Sequence, residues 1–139
     1  MHLTVVAGTA RGLHAPVPVF TPTLYLAGDL ERGATLELDD EHEQRALYVV
    51  EGAVGIGDER VERHTLAVLP ATGTVRVDAH ADARVVILGG AALDAPRHLW
   101  WNFVSSSRER IEQAKRDWAE GRFGLIPGDD REFIPLPEK

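Results

Sequence analysis

Cysteine is absent from the 139 residues of the chain, and methionine occurs once. A chain without cysteine forms no disulfide bond, no cysteine-bound zinc or iron–sulfur cluster and no thiol nucleophile, and it suits a reducing compartment. No run of about 18 apolar residues is present, so no membrane-spanning helix is predicted. The first residues also lack the basic region of a secretory signal. We therefore expect a cytoplasmic protein without a membrane partner.

Cationic side chains are in the minority, because 15 Lys and Arg residues stand against 22 Asp and Glu residues. The formal net charge is −7. Nucleic acids and anionic membranes are bound by clustered cations, so neither is an expected partner. The length corresponds to one domain, which is enough to bury a core without disulfides or a structural metal.

Seven short segments between about residues 3 and 90 place apolar residues at alternate positions. Turn residues separate the segments, and no helical period intervenes. Strands that recur about every 8–12 residues predict a sandwich or barrel rather than alternating strands and helices. We therefore predict an all-β fold for residues 1–96, which is either a sandwich or a barrel. The predicted strands cover residues 24–26, 36–38, 47–50, 54–56, 65–69, 75–77 and 84–88.

The remaining residues, 97–139, are predicted to form an aromatic segment, a helix and a tail that belong to the same domain. A helix is predicted at about 106–120, because Ser106 and Glu109 have the spacing of a capping box and Gly121 provides a C-terminal stop. The tail that follows combines three prolines with apolar residues. It is therefore expected to be extended and docked on a surface.

Gly33, Asp39, Glu41, Arg45 and Gly52 follow one another at the spacings of the first metal-binding motif of the cupins. Cupins are jelly-roll barrels whose first motif supplies two histidines and a glutamate to a metal ion. The two glycines of that motif are present here, and the three ligand positions hold Asp, Glu and Arg. The resemblance therefore implies a cupin barrel with an altered ligand set.

The second cupin motif is similar to the segment with Pro70 and Gly73, and its histidine position holds Arg76. Guanidinium groups stay protonated and have no lone pair to donate, so Arg45 and Arg76 would repel a divalent cation. We expect them to form ion pairs with the two carboxylates of the first motif and to close the barrel mouth. No cofactor is predicted, and iron or another divalent metal in an atypical site is the alternative.

The end of the chain identifies a more specific resemblance within the cupins. Residues 98–107 read His-Leu-Trp-Trp-Asn-Phe-Val-Ser-Ser-Ser, and residues 128–137 read Gly-Asp-Asp-Arg-Glu-Phe-Ile-Pro-Leu-Pro. Both segments resemble the C-terminal half of bacterial pirins, which are cupins with two barrels. In that family the iron and the quercetin 2,3-dioxygenase activity belong to the N-terminal barrel. The resemblance therefore implies a C-terminal pirin half that stands alone, with no catalytic residue and no metal ligand of its own.

Histidines and serines offer few further site residues. No two histidines stand at a spacing that would join them on one strand or helix face, so exposed loop positions are expected. The alternative is a site of one histidine and two carboxylates, in which a shifted register brings His80 or His42 together with carboxylates such as Glu41 and Glu43. Ser105, Ser106 and Ser107 are interpreted as helix capping residues. The histidines are His2, His14, His42, His64, His80 and His98.

A group of large apolar residues after the barrel predicts an interface. In the two-barrel family this segment returns toward the first barrel, so a missing first barrel would leave it exposed. We expect a homodimer in which each copy replaces the missing half of the other, or a complex with a separate cupin. The candidate interface residues are Trp100, Trp101, Phe103, Ile111, Trp118, Phe123 and Phe133.

Three functions remain open from the sequence. The first is a metal-free structural or binding module that acts by assembly. The second is a small dioxygenase of quercetinase type with a metal in an atypical site. The third is a barrel that binds an unidentified small molecule, with a mouth formed by Tyr25, Tyr48, Arg45 and Arg76. Whether the chain is an enzyme depends on the site and not on the fold.

Overall fold

The computed structural model describes residues 1–137 and divides into two compact units, Met1–Ala92 and a second that begins at Leu93. The final residues of the predicted tail, 138–139, lie outside this description. The placement of both units in one domain stays a prediction. Among the described residues, no helix is long and apolar enough to cross a membrane.

The first unit, which we call the barrel unit, consists of ten strands paired in antiparallel fashion, in agreement with the predicted all-β fold. Each predicted strand corresponds to one of these elements, although residues 65 and 69 lie outside β8. The strands are β1 (His2–Ala10), β2 (Leu13–His14), β3 (Thr23–Leu30), β4 (Thr35–Leu38), β5 (Gln44–Glu51), β6 (Ala53–Ile56), β7 (Glu59–Glu62), β8 (Leu66–Val68), β9 (Val75–Asp78) and β10 (Ala83–Gly90).

Two sheets make up the barrel unit. The larger has the strand order β2-β1-β3-β10-β5-β8, and the smaller has the order β4-β9-β6-β7. Some neighbours in each sheet are distant in sequence, as β3 pairs with β10 and β4 pairs with β9. This arrangement of two antiparallel sheets is a jelly roll, as predicted.

The core of the barrel unit is aliphatic and takes residues from both sheets. Alternation along each strand sends every second side chain inward, which is the period that the sequence shows. Several of these residues have no exposed surface at all. They include Leu47, Val49, Val85 and Ile87 from the larger sheet and Leu36, Val54 and Val77 from the smaller.

Gly33 and Gly52, the two glycines that match the first cupin motif, both adopt a positive φ, of 84° and 76°. At Gly52 a Cβ atom would also lie 2.4 Å from the carbonyl oxygen of Asp82. Both the backbone angle and this close approach therefore require glycine at position 52. The glycines of the motif keep a backbone role even though its ligand positions have changed.

The second unit, which we call the C-terminal unit, contains a hairpin of β11 (His98–Trp100) and β12 (Phe103–Ser105), followed by α1 (Arg108–Ala119). The helix begins one residue later than the predicted capping box requires, because Ser107 is the N-cap and its Oγ accepts a hydrogen bond from the Arg110 amide. The same hydroxyl donates to the carboxylate of Glu109 at 2.6 Å. Gly121, with a φ of 69°, follows the end of the helix as predicted.

Candidate functional site

Arg45, at the altered glutamate position of the first motif, is buried inside the barrel unit. It lies near the start of β5 and is 3% exposed. Along this strand it alternates with the buried Leu47 and Val49, so its side chain shares their inward direction. A buried cation is unfavourable unless hydrogen bonds compensate for its lost hydration.

The guanidinium of Arg45 donates hydrogen bonds to four backbone carbonyls. Nη1 bonds the carbonyl of Leu38 at 3.2 Å and that of Asp39. Nη2 bonds the carbonyl of Pro70 at 2.6 Å and that of Gly73 at 3.1 Å. Hydrogen bonds from a charged donor contribute about 1.5–3 kcal/mol each, so together they can offset the cost of burying the guanidinium.

The four carbonyls belong to two separate segments of the chain. One pair lies at residues 38–39, in the region that resembles the first cupin motif, and the other lies at residues 70 and 73, in the region that resembles the second. In cupins with a metal, both motifs supply ligands to the same ion. Here a covalently attached cation joins the two segments through neutral oxygens.

A small cavity lies beside Arg45. Its volume is about 10 Å³, and Leu24, Leu38 and His42 contribute to its lining. The Nε atom of Arg45 is buried without a hydrogen-bond partner among residues 1–137. A space of this size accommodates no more than about one water molecule.

His42 is buried, which corrects the expectation that the histidines occupy exposed loops. It is 5% exposed, and its Nε2 atom lies 2.9 Å from the carbonyl oxygen of Thr9. A carbonyl only accepts, so Nε2 carries the hydrogen in this bond. The Thr9 hydroxyl donates to the carboxylate of Glu41 at 2.6 Å, and that carboxylate lies 3.8 Å from Nε2. These three residues connect β1 to the bend before β5.

The predicted ion pairs between the carboxylates of the first motif and the two arginines are not present within residues 1–137. Asp39 accepts a hydrogen bond from the backbone amide of Glu41 at 3.3 Å. Its neighbour Asp40 accepts one from the amide of Gly73 at 2.8 Å, and this bond holds the pKa of Asp40 below its ordinary value. Within residues 1–137 no ion pair involves Arg45, because its donors are directed at carbonyls.

Arg76, the altered ligand of the second motif, is 65% exposed and lies on β9. Its Nε atom is 3.0 Å from each carboxylate oxygen of Asp78, two residues further along the strand. The hydroxyl of Thr35 and the guanidinium of Arg76 lower the pKa of Asp78, the hydroxyl contributing more. Arg76 therefore forms an exposed ion pair within its own strand and does not join Arg45.

The four residues of the predicted barrel mouth are not brought together. Tyr25 lies between the buried residues Leu24 and Leu26 on β3, and its side chain therefore points to the opposite, outer side of the larger sheet. Tyr48 shares that side, because it alternates with the inward residues of β5. Arg45 points inward and Arg76 lies exposed on the smaller sheet.

Metal binding does not fit the residues present. No group of three or more His, Cys, Asp or Glu side chains in residues 1–137 is arranged so that it could hold a metal ion. His80, the histidine of the alternative site, is exposed beside Gly55, whereas Glu41 and His42 are engaged with Thr9. The position between the two motif segments is filled by a guanidinium, which repels cations.

Six of the seven predicted interface residues form an aromatic cluster, and the seventh, Ile111, is buried within the unit. The rings of Trp101 and Trp118 lie 5.1 Å apart, and those of Phe103 and Phe123 lie 5.8 Å apart. The Nε1 atom of Trp118 also donates a hydrogen bond of 2.8 Å to a backbone carbonyl of the tail. The aromatic cluster, which joins the hairpin, the helix and the tail, consists of Trp100, Trp101, Phe103, Trp118, Phe123 and Phe133.

An open groove of about 490 Å³ runs between β12 and α1 in the same unit. Phe103, Ile111 and Phe123 provide apolar surface, and Arg110 and Asp117 provide charge. This volume is within the range of ligand pockets, about 300–1,000 Å³. Phe103, Ile111 and Phe123 were predicted to lie at an interface, but a groove was not predicted.

Sequence reasoning also missed the buried roles of Arg45 and His42. For Arg45 the sequence does contain a signal. Arg45 lies two residues before Leu47 and four before Val49, so the alternation of the strand places it on the same inner side. For His42 the partner Thr9 is 33 residues away in the sequence, and local patterns do not report such a contact.

Comparisons with known proteins agree with this geometry. A family model described as the Pirin C-terminal cupin domain matches residues 25–124. A pirin-like protein of Caulobacter vibrioides is 42% identical over 134 residues, which are 96% of this chain and 46% of that protein. Pirin of Homo sapiens is 30% identical over 136 residues, which are 88% of this chain and 45% of that protein.

A solved structure has the same fold as this chain. The crystal structure of a quercetin 2,3-dioxygenase from Acinetobacter baumannii matches with a TM-score of 0.83 and 30% identity. The match covers 90% of this chain and 44% of that protein. The chain thus spans less than half of the length of each of these three proteins.

Proposed function

The chain belongs to the pirin family of cupins, and on that premise we propose that it is a metal-free module whose function is assembly. Its partner in this proposal is a second copy of itself or a separate cupin. It has no catalytic residue of its own and needs no cofactor. We place it in the cytoplasm, since a chain without cysteine suits a reducing compartment.

The burial of Arg45 is the observation that carries this proposal. A metal site in this barrel would need electron-pair donors between the two motif segments, and the residue there is a protonated guanidinium. Its bonds to four carbonyls give the barrel a substitute for the link that a shared ion would provide. The function that fits such a barrel is structural support and binding.

Elemental analysis of the untagged protein, purified without chelator and then offered iron(II), tests the proposal. We expect less than about a tenth of an equivalent of bound metal, because no three donor side chains converge in residues 1–137. Bound iron near one equivalent would contradict the proposal if it is lost in Glu41→Ala and retained in Glu59→Ala. Glu59 is the matched control because it is an exposed carboxylate on β7 that belongs to neither cupin motif nor to the alternative site.

A small dioxygenase is the second candidate function, and a specific comparison favours it. The Acinetobacter baumannii protein that matches this chain is a quercetin 2,3-dioxygenase. Oxygen uptake by the iron-treated protein in the presence of quercetin tests this candidate. We expect no uptake above that of the same amount of free iron, and uptake that depends on Glu41 would favour the enzyme.

A small-molecule-binding module is the third candidate. The interior of the barrel unit offers about 10 Å³ beside Arg45, whereas the groove between β12 and α1 offers about 490 Å³. A ligand of drug size would therefore bind at the groove. Quenching of tryptophan fluorescence by quercetin, compared between the unmodified protein and Phe123→Ser, tests this candidate, because Phe123 lines the groove.

A further inference from the structure

The outer side of the larger sheet presents an apolar surface, which we call the outer patch. It consists of Tyr25, Tyr48, Leu66, Val68, Val86 and Leu88. Leu88 is 43% exposed, whereas Val85 and Ile87, the inward residues of the same strand, have no exposed surface. Val68, on the edge strand β8, is 82% exposed. A sheet that is apolar on both sides normally has both sides covered.

Strand pairing makes the outer patch continuous. Leu88 is paired with Tyr25 between β10 and β3, and Val86 is paired with Tyr48 between β10 and β5. Tyr48 is in turn paired with Leu66 between β5 and the edge strand β8. Side chains directly opposite one another on neighbouring strands are in contact distance, so the patch extends across four strands.

Charge is confined to one end of this surface. Asp29 and Arg84 form an ion pair of 2.8 Å there, and Glu51 lies 3.9 Å from the same guanidinium. No member of the outer patch is charged, although the chain as a whole has a net charge of −7. Two such patches can therefore face each other without bringing like charges into contact.

The size of the outer patch suits the centre of an interface. Four strands spaced about 4.8 Å apart, with about four residues of about 3.3 Å each along the strands, span roughly 300 Å² in projection. The largest apolar patch on a typical soluble monomer is about 300–600 Å² and is often functional. A standard interface of about 800 Å² per partner has an apolar centre of this kind inside a polar rim.

We propose that a second copy of this chain covers the outer patch, with the two larger sheets face to face about a two-fold axis. An uncharged apolar surface is self-complementary, as a two-fold interface requires. This inference rests on the proposed function of assembly and adds the surface and the partner.

Sedimentation equilibrium of the full chain at micromolar concentration tests the inference. We expect a dimer whose dissociation constant rises at least about tenfold in Leu88→Lys and in Val68→Lys, since each change buries two ammonium groups at the interface. Val68→Lys keeps the test valid if Leu88→Lys does not fold, because Val68 lies on an edge strand and is already exposed. Leu99→Lys, an exposed leucine of the C-terminal unit, is the matched control and should leave the dimer unchanged.

Cross-linking provides a second measurement that does not depend on destabilisation. Because the chain has no cysteine, a single introduced thiol is the only target for a short bis-maleimide. We expect covalent dimers from Leu88→Cys and Tyr25→Cys and none from Leu99→Cys. A monomeric unmodified protein would overturn the inference, and so would a dimer that cross-links from position 99 but not from position 88.

These outcomes separate the inference from the proposed function. A dimer that forms through the C-terminal unit would overturn the outer patch as the interface and leave assembly as the function. Stoichiometric iron in the elemental analysis would overturn the metal-free module, whatever the sedimentation experiment shows.

Discussion

The barrel unit and the C-terminal unit are stabilised by different kinds of contact. In the barrel unit, 17 buried aliphatic residues from both sheets form one cluster. In the described part of the C-terminal unit, Ile111 is the buried hydrophobic residue, and ring contacts among half-exposed aromatic residues provide the packing. The barrel unit therefore distributes its stability over many residues, whereas the C-terminal unit depends on a few.

The difference also shows in where buried polar groups lie. The barrel unit holds both buried polar side chains of the described chain, His42 and Arg45. Arg45 is bonded to backbone carbonyls, and His42 is bonded to the carbonyl of Thr9, with the carboxylate of Glu41 3.8 Å away. A polar group in a dense core affects stability more strongly than the same group at the surface, so the largest mutational effects are expected there.

Arg45→Met gives the largest expected effect. It leaves four backbone carbonyls without their donor in a buried setting, so the free energy of unfolding should fall by about 3–5 kcal/mol. Urea denaturation monitored by circular dichroism measures the change. Arg76→Met is the matched control, since Arg76 is exposed, and it should leave the denaturation midpoint nearly unchanged. Equal effects of the two substitutions would contradict the structural role of Arg45.

Trp118→Ala tests the dependence of the C-terminal unit on its aromatic cluster. The change removes ring contacts with Trp101 and Phe133 and the hydrogen bond to the carbonyl of Ile134. Truncation of a packed tryptophan costs about 3–5 kcal/mol in a full core, and at this half-exposed position we expect about 2 kcal/mol.

Hydrogen exchange measures that loss and locates it. The amides of α1 should lose protection in Trp118→Ala, while those of β3 and β10 keep theirs. Trp118→Phe is the control, because it retains a ring at the centre of the cluster. Loss of protection throughout the barrel unit would show that the two units do not differ in the way described above.

Ser107→Ala has a smaller expected effect, again confined to the C-terminal unit. The serine Oγ accepts from the Arg110 amide, and loss of an N-cap costs about 1 kcal/mol. Hydrogen exchange at the first turn of α1 measures it. Ser106→Ala changes the exposed serine of the predicted capping box and should have no such effect. A larger loss of protection in Ser106→Ala than in Ser107→Ala would show that Ser106 is the N-cap.

Asp40→Asn gives the smallest expected effect and concerns acid stability. The Gly73 amide lowers the pKa of Asp40 in the folded state, so folding is favoured above the unfolded pKa of about 3.9. This contribution is lost as the pH falls through the lower folded pKa. Denaturation between about pH 5 and pH 2 should show a shallower pH dependence in Asp40→Asn. An unchanged slope would contradict the assigned hydrogen bond.

The barrel could be predicted from the sequence because its strands alternate between buried and exposed positions. Leu47 and Val49, or Val85 and Ile87, have the period of a strand with one side in a core. The strand β7 was not predicted, since Glu59–Glu62 contains a single apolar residue and its place is fixed by pairing with β6. Tertiary pairing decides such strands, and a local pattern does not record it.

The candidate site could be predicted only in part, for a related reason. The spacing of Gly33 and Gly52 indicated the motif, and that spacing also identified Arg45 as the residue at an altered ligand position. The bonds of Arg45 to the carbonyls of residues 70 and 73 could not be predicted. They depend on a contact between β5 and a loop about 25 residues further along the chain. The shift of the helix cap from Ser106 to Ser107 depends on the direction of one hydroxyl, which composition does not determine.

The cation between the two motif segments is the side chain of Arg45 and so belongs to the polypeptide itself, which affects the conditions under which the barrel can fold. A bound ion must be captured from solution, and its occupancy falls when the metal is scarce or chelated. The guanidinium of Arg45 is synthesised with the chain at a fixed ratio of one per site, and it is present at a high effective concentration as soon as β5 forms. On the proposal of a metal-free module, we therefore expect this barrel to fold equally well when iron is scarce and when a chelator is present.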